Sequence, residues 1–322
     1  MPAVSRKPVA LSPTALRWLR LTLGIAVAAA AFYFLITRLI RDWTQIPFDR
    51  LHFSAPLLVA SFAILLLLHF PLGAICWQLL LRGLGQRLPV LRCLAIMTVT
   101  QLGKYAPGKV WFTLGRMSLA KREGISEDKT LVSVAIETGF LLLAAILLFA
   151  VAVAVLLLRR AAVPPAAYAV FALIPLCLVV VYPPVLNRLL RSILPRLKRP
   201  VFALNLSYPQ LLGLLGLYTS DWLVQGLGCF VLINSFYPLA PAHLPVLLGG
   251  YSISWILGFI FLIAPAGLGI REGIYTWILK LAMPETIAII SALITRIWMT
   301  TSEVVMALVC LPLLRRQHQE AK

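Results

Sequence analysis

TLVSVAIETGFLLLAAILLFAVAVAVLLL, residues 130–158, carries one ionisable side chain, Glu137, in a run long enough to cross the roughly 30 Å hydrocarbon core of a bilayer as an α-helix. Working outward from it, six more strong runs can be marked: Leu21–Thr37, Ser54–Leu81, Val163–Tyr182, Tyr208–Phe236, Leu244–Ala264 and Thr286–Leu313. They recur along all 322 residues, of which 61% are hydrophobic and 12% charged, at a mean hydropathy of +0.94. Such a composition excludes a soluble enzyme, a disordered chain and a disulfide-stapled secreted module. A β-barrel would need alternating strands of about ten residues, and no such period occurs. The expected fold is therefore all-α: a polytopic helical membrane protein of seven to eight transmembrane helices in a single integral membrane domain, residues 1–322.

Two apolar stretches do not fit plain spans. Residues 93–117 and 265–283 are interrupted by Pro, Gly and charge, which suits broken or re-entrant segments, since irregular backbone at membrane depth survives only inside protein or beside a water-filled cavity. Within the long run Ser54–Leu81, Pro71 predicts a tilt or kink.

Lys and Arg number 29 against 11 Asp and Glu, but the basic residues lie between the apolar runs, so they read as topology signals and not as a nucleic-acid footprint. The segment 1–20 (Arg6, Lys7, Arg17, Arg20), residues 82–129 and the loop 185–200 together hold 18 basic residues, and the alternate side holds 5. The richer side is expected to be cytoplasmic, with the N-terminus inside and the protein in the cytoplasmic (inner) membrane. The first apolar stretch is too long for a cleaved signal peptide and reads as an uncleaved span. A short polar tail, 314–322, joins the basic side if the number of crossings is even. The five cysteines (Cys76, Cys93, Cys177, Cys229, Cys310) are scattered singly, with no C-x-x-C pair.

The two broken segments are related by a fixed offset of 158 residues: Ala106-Pro107 to Ala264-Pro265, Gly115 to Gly273 and Glu127 to Glu285. Each has a Pro/Gly break, an arginine, an acidic helix start and then a long span. A duplicated unit around a midplane site, as transporters use, would give this pattern.

In the first segment, Gly103-Lys104-Tyr105-Ala106-Pro107-Gly108-Lys109 satisfies G-x-x-x-x-G-K, the phosphate loop of nucleotide-binding domains. Val110 stands where that loop needs Ser or Thr, and no soluble α/β domain surrounds it. What survives is local: Pro107 and Gly108 break the helix and free backbone amides, while Lys104, Lys109 and Arg116 bring positive charge, an arrangement suited to a phospholipid phosphate. In the second segment, Pro265, Gly267 and Gly269 permit an unwound turn before Arg271, Glu272 and Gly273 open the next helix. Arg271 and Glu272, being adjacent, point to different faces and need separate partners. The plain alternatives are a loop whose lysines only set topology and a helix cap with solvated charges.

Glu137, Asp221, Arg296 and Glu303 lie well inside strong spans, where each costs roughly 2.5 to 3.5 kcal/mol on insertion scales. They are expected to face the bundle interior, Glu137 or Asp221 meeting Arg296 across helices. Arg296 and Glu303, seven residues apart, share one face and should line one polar groove; Glu137, Asp221 and Glu303 are the candidate proton carriers for coupling, with Glu303 the first choice as the proton-responsive group. A structural buried ion pair is the other option. His52, His69, His243 and His318 are isolated, no paired-carboxylate or H-E-x-x-H spacing occurs, and neither a catalytic set, a cofactor nor a metal is expected.

Gly103-Lys104-Tyr105-x-Pro107-Gly108-Lys109 with Arg116, then Pro265-x-Gly267-x-Gly269-x-Arg271-Glu272-Gly273, then Arg296 and Glu303, resemble the lysylphosphatidylglycerol synthase transmembrane-region family, flippase-like integral membrane proteins. The resemblance covers nearly the whole chain. It implies a lipid translocator moving a phospholipid or related amphiphile between leaflets, with Lys104, Lys109, Arg116 and Arg271 at the family's basic positions and Glu272, Arg296 and Glu303 at its polar ones. Members that make aminoacylated lipid carry a soluble transferase domain after the membrane part, whereas this sequence ends nine residues after Leu313, so a stand-alone member that is not itself an enzyme is expected. The alternative is a lipid-phosphate-binding membrane enzyme or an accessory subunit of a lipid-modifying synthase. The partners implied are a membrane lipid first, then a lipid-synthesis enzyme or a second copy of the chain.

Overall fold

The computed structural model describes residues 33, 37, 40–41, 51–105, 110–161, 163–260 and 267–315. Apart from Tyr33 and Thr37, the expected first span lies outside the described residues, as do the basic segment 1–20 and the tail beyond 315.

Helix α1 (Ala55–Gly83) is 29 residues long. Pro71 lacks the N–H that would bond Leu67, and its ring crowds that carbonyl. The helix accommodates it by widening into a π turn over Leu65–His69, closed by the Phe70 N–H on the Leu65 carbonyl. The expected disturbance at Pro71 is thus a π turn. Helix α2 (Val90–Gln101) runs into a 3-10 turn, Leu102–Tyr105, and α3 (Trp111–Arg122) returns antiparallel to it. Their pairing is read from two glycines: a Cβ on Gly115 would lie 3.3 Å from Thr100 Cγ2, and one on Gly103 would lie 2.7 Å from the backbone nitrogen of Phe112. Arg92 and Glu123 pair at the base of this hairpin (3.7 Å), so both limbs belong to the same face of the molecule.

Helix α4 (Glu127–Leu158) is the 32-residue span, with Glu127 and Asp128 in its first turn, where acidic groups offset the helix dipole. Next come α5 (Ala169–Val181) and α6 (Pro183–Arg196), bent 75° apart at Tyr182, whose extended backbone is what the residue before a proline prefers. Helix α7 (Tyr208–Asn234) begins with the Ser207 N–H donating to Gln210 Oε1 (2.8 Å). Helices α8 (Leu244–Ile260) and α9 (Ile270–Leu279) form a second hairpin, in which a Cβ on Gly250 would meet Ile278 at 2.9 Å and one on Gly258 would meet Arg271 at 3.3 Å. Helix α10 (Glu285–Arg315) completes the bundle.

Among the described residues, α1, α4, α10 and α8 with its preceding turn are long and apolar enough to cross a membrane, and α5 with α6 makes a fifth if counted as one bent span. This all-helical, multi-pass arrangement is narrower than the expected seven to eight crossings. Helix α7 has 27 residues but interrupts its apolar run with Asp221 and Gln225, and α5 alone has 13.

Loop contacts define two faces. On one, the Asn205 N–H donates to the Gly83 carbonyl (2.8 Å), Arg199 pairs with Asp128 (2.6 Å) and Arg92 donates to the Leu313 carbonyl. On the other, the Ser54 N–H donates to Ser235 O (2.8 Å) and Arg159 donates to Ala242 O (2.8 Å). The first face gathers Arg82, Arg87, Lys121, Arg122, Lys129 and the arginines of α6; it is called the basic face below. Long helix, broken hairpin, long helix therefore occurs twice, as α1, α2/α3, α4 and as α7, α8/α9, α10. The second set runs in the opposite direction, and Glu127 and Glu285 open equivalent helices. The first hairpin enters from the basic face and the second from the opposite one. The duplication hinted at by the 158-residue offset is an inverted repeat.

Candidate functional site between the two hairpin tips

The hairpin tips meet at a cavity of about 190 Å³. The first hairpin contributes Gln101, Lys104, Phe112 and Arg116; the second contributes Trp255, Gly258, Phe259, Gly267 and Arg271. Helix α4 adds Val134, Glu137, Thr138 and Leu141, and α10 adds Arg296. Glu137 stands about 15 Å along α4 from the basic face, and Arg296 about 16 Å along α10 from the other, at 1.5 Å per residue. The cavity is therefore at mid-depth. A larger hollow of about 760 Å³ by Arg82 and Arg87 opens at the basic face and contains none of the buried charges.

The turn of the second hairpin is set by two glycines. Gly267 (φ 70°) packs so closely that a Cβ would lie 3.0 Å from the Gly258 carbonyl oxygen, and Gly269 (φ 83°) turns the chain into α9. Glu272 Oε2 accepts the Gly269 N–H (2.6 Å), capping its own helix, while Glu272 Oε1 faces Arg296 Nε at 3.5 Å. The tip of the first hairpin is fastened to α10: Lys104 pairs with Glu303, and the Tyr105 hydroxyl donates to Glu303 Oε2 (2.9 Å) and lies 3.0 Å from Thr300 Oγ1. Arg116 pairs with Glu137, its guanidinium 4.9 Å from the Trp77 ring, whose Nε1 donates to Ser133 (2.9 Å).

Four cations surround the cavity, and three have an acid: Lys104 with Glu303, Arg116 with Glu137, and Arg296 with Glu272. Arg271 has none within ion-pair distance among the described residues; its guanidinium sits 4.7 Å from the Tyr251 ring. Arg116 Nε and Arg296 Nη2 are buried without a hydrogen-bond partner among the described residues. Unsatisfied polar groups at this depth are costly; an anionic acceptor in the cavity would answer both of these donors and give Arg271 a counter-charge.

The structure brings together Lys104, Arg116, Gly267, Arg271, Glu137 and Arg296 on the cavity, with Tyr105, Gly269 and Glu272 just behind. Tyr105 lies under Arg296, 5.6 Å from ring centroid to guanidinium. Pro107, Gly108, Lys109 and Pro265 lie outside the described residues. Gly273 sits within α9 with open space beside it. Glu303 is buried behind Lys104 and is not on the cavity wall, so the groove expected to be shared by Arg296 and Glu303 is lined by Arg296 alone of the two. Asp221 does not meet Arg296 either: His69 Nδ1 lies 2.7 Å from Asp221 Oδ1, and Gln225 donates to Oδ2 (3.2 Å). His69, read as isolated in the sequence, is thus an acid's partner. Gln101, Thr138, Trp255 and Phe259 were also missed, although the offset could have found three of them. Gln101 and Phe259 are 158 apart, as are Thr138 and Arg296, and all four line the cavity.

A family model described as the lysylphosphatidylglycerol synthase TM region matches residues 21–307. The chain belongs to the lysylphosphatidylglycerol synthase TM region family. No individual curated protein matches it. Membership ties this membrane protein to lipid modification or transport, and the match takes in every described residue of the cavity. Among those residues no group of three His, Cys, Asp or Glu side chains is placed to hold a metal ion.

Proposed function

We propose that the cavity takes the phosphate of a phospholipid or related amphiphile and that the protein moves this lipid between leaflets, without changing it chemically. Arg271, a guanidinium at mid-depth with no acid within ion-pair distance among the described residues, carries this reading: it leaves the cavity one positive charge in excess, matched by one lipid phosphate. The apolar part of the wall, Phe112, Val134, Leu141, Trp255 and Phe259, suits the glycerol and first acyl carbons. Hairpins entering from opposite faces and meeting at one mid-depth site form the inverted arrangement on which alternating access is built, which supports this reading. The positive-inside rule supports a cytoplasmic basic face, in keeping with a protein of the inner membrane.

The test is transfer in liposomes. Purified protein in phosphatidylcholine vesicles should move fluorescent phosphatidylglycerol between leaflets faster than empty vesicles do, and Arg271→Gln should lose most of that rate. Inorganic phosphate as competitor separates the sources of the anion: weak competition against strong competition by short-chain phosphatidylglycerol indicates a lipid site. Transfer equal to empty vesicles, with and without a pH gradient, overturns translocation. The family's link to lipid modification favours one second reading, a lipid-binding enzyme or synthase subunit, and a new lipid species in the mass spectrum would select it.

A further inference from the structure

Among the described residues four acids are buried in the bundle, and three of them hold an arginine or a lysine: Glu137 has Arg116, Glu272 has Arg296 and Glu303 has Lys104. The fourth, Asp221, has His69. The four cations and three paired acids at the cavity sum to +1; Asp221, set back from the wall, brings the wider total to zero while His69 is neutral, and protonating His69 restores the +1. A lipid phosphate beside Arg271 adds one negative charge, and protonating His69 cancels it. Low-dielectric surroundings make such compensation worth far more than in water.

The geometry fits a proton site. His69 closes the π turn of α1, a distortion frequent at functional positions, and keeps 14% of its side chain exposed, whereas Asp221 keeps 3%. If the neutral ring donates Nδ1–H to Asp221, the second proton enters at Nε2. The groups facing the pair are Cys76 on α1, Tyr218 and Gln225 on α7, Glu137 on α4 with Arg116 of α3 upon it, and Tyr251 of α8 through Gln225; α10 meets this stretch through Trp298. Asp221 interacts electrostatically with Glu137, which itself lines the cavity, so charge at the pair is felt at the lipid site.

We infer that His69 and Asp221 form a proton-binding site coupled to the cavity, so that entry of an anionic headgroup is accompanied by uptake of one proton on His69. This rests on the lipid-phosphate reading above. By linkage, lipid affinity is highest when the pair is protonated and falls as pH rises, by up to tenfold per pH unit where a full proton is exchanged.

The experiment is calorimetric titration of dihexanoyl phosphatidylglycerol, below its micelle concentration, into the full chain in phosphatidylcholine nanodiscs, in buffers of different ionisation heat. Wild type should take up close to one proton per lipid bound near neutral pH. His69→Gln and Asp221→Asn should both bind without proton uptake and without pH dependence, in opposite directions: the first at the weak, high-pH level of wild type, the second at or above its tight, low-pH level. A merely structural role for the pair would not split the two variants this way. Binding by wild type with no proton uptake, or wild-type uptake in either variant, overturns the coupling and leaves the lipid site standing. No binding by wild type removes the lipid site and the coupling with it. Should both variants fail to fold, the proton stoichiometry of wild type alone decides.

Discussion

Arg116 of α3 and Glu137 of α4 form an ion pair that ties the returning limb of the first hairpin to the longest helix, with the guanidinium lying over Trp77. Both residues are almost completely buried, so removing one leaves the other charged in an apolar setting. Arg116→Met alone and Glu137→Leu alone should each destabilise the protein by about 3–5 kcal/mol. The double variant should recover most of that loss in thermal unfolding in detergent, since a buried pair is readily replaced by apolar groups. Its lipid binding should nevertheless remain weak, because Arg116, unlike Lys104, keeps on the cavity side a buried Nε with no partner among the described residues, a donor left for the anion. A double variant as unstable as the two single losses combined would show that the pair does not act as a unit.

The hairpin turns make an opposite kind of prediction. Gly103→Ala places a methyl 2.7 Å from the Phe112 backbone, which cannot move aside as a flexible side chain can, and Gly267→Ala forces a left-handed residue against the Gly258 carbonyl. Both should open their hairpin and lower the unfolding temperature. Gly273→Ala, inside α9 with nothing within 4 Å, should be neutral or stabilise by up to about 1 kcal/mol from helix propensity. Equal effects at all three positions would contradict the close packing of the tips.

Much of this was legible from the sequence because membrane helices announce themselves by length and apolarity, and because Gly267 and Gly269 mark where a helix cannot continue. The residue classes at the site were legible too: charge inside an apolar run must be paired or used. The partners were not. Whether Glu137 meets Arg116 or Arg296 depends on whether α3 or α10 packs against α4, and no local pattern encodes that. His69 was passed over because its acid, Asp221, lies 152 positions away on α7. The inverted repeat left a faint trace in four residue pairs, since opposite orientation conserves helix breaks and starts while the side chains between them face different surroundings.

Glu303 offers a third prediction, about how the first hairpin is held. It receives Lys104 and the Tyr105 hydroxyl and is 1% exposed. Tyr105→Phe removes a hydrogen bond to an ionised group and should cost about 1.5–3 kcal/mol. Lys104→Met should cost more, about 3–5 kcal/mol, because it strands the carboxylate. Lys104→Met with Glu303→Leu should restore stability and leave the cavity's net charge unchanged. Anionic-lipid affinity should then stay within a few-fold of wild type, whereas Lys104→Met alone should lower it. An affinity lost equally in the double variant would assign Lys104 a direct contact with the lipid.

The final prediction concerns the field inside the cavity. All five native cysteines are buried, so wild type should react slowly with a small water-soluble thiol reagent and can serve as its own blank. Thr138→Cys and Gln101→Cys place a thiol on the cavity wall, and Ser302→Cys places one at a site of 0% exposure away from it. The first two should be labelled and the third protected. Because Arg271 leaves the wall with one positive charge in excess, an anionic sulfonate reagent should outpace a cationic ammonium reagent of the same size by at least about tenfold at low salt, a ratio that shrinks as salt is added. Short-chain phosphatidylglycerol should slow labelling at Thr138→Cys and leave Ser302→Cys unaffected. In an Arg271→Gln background the preference for the anionic reagent should fall toward unity. A cationic reagent that reacts as fast as the anionic one with Arg271 in place would mean that the excess charge is neutralised within the protein, and the cavity would lose its claim to a phosphate.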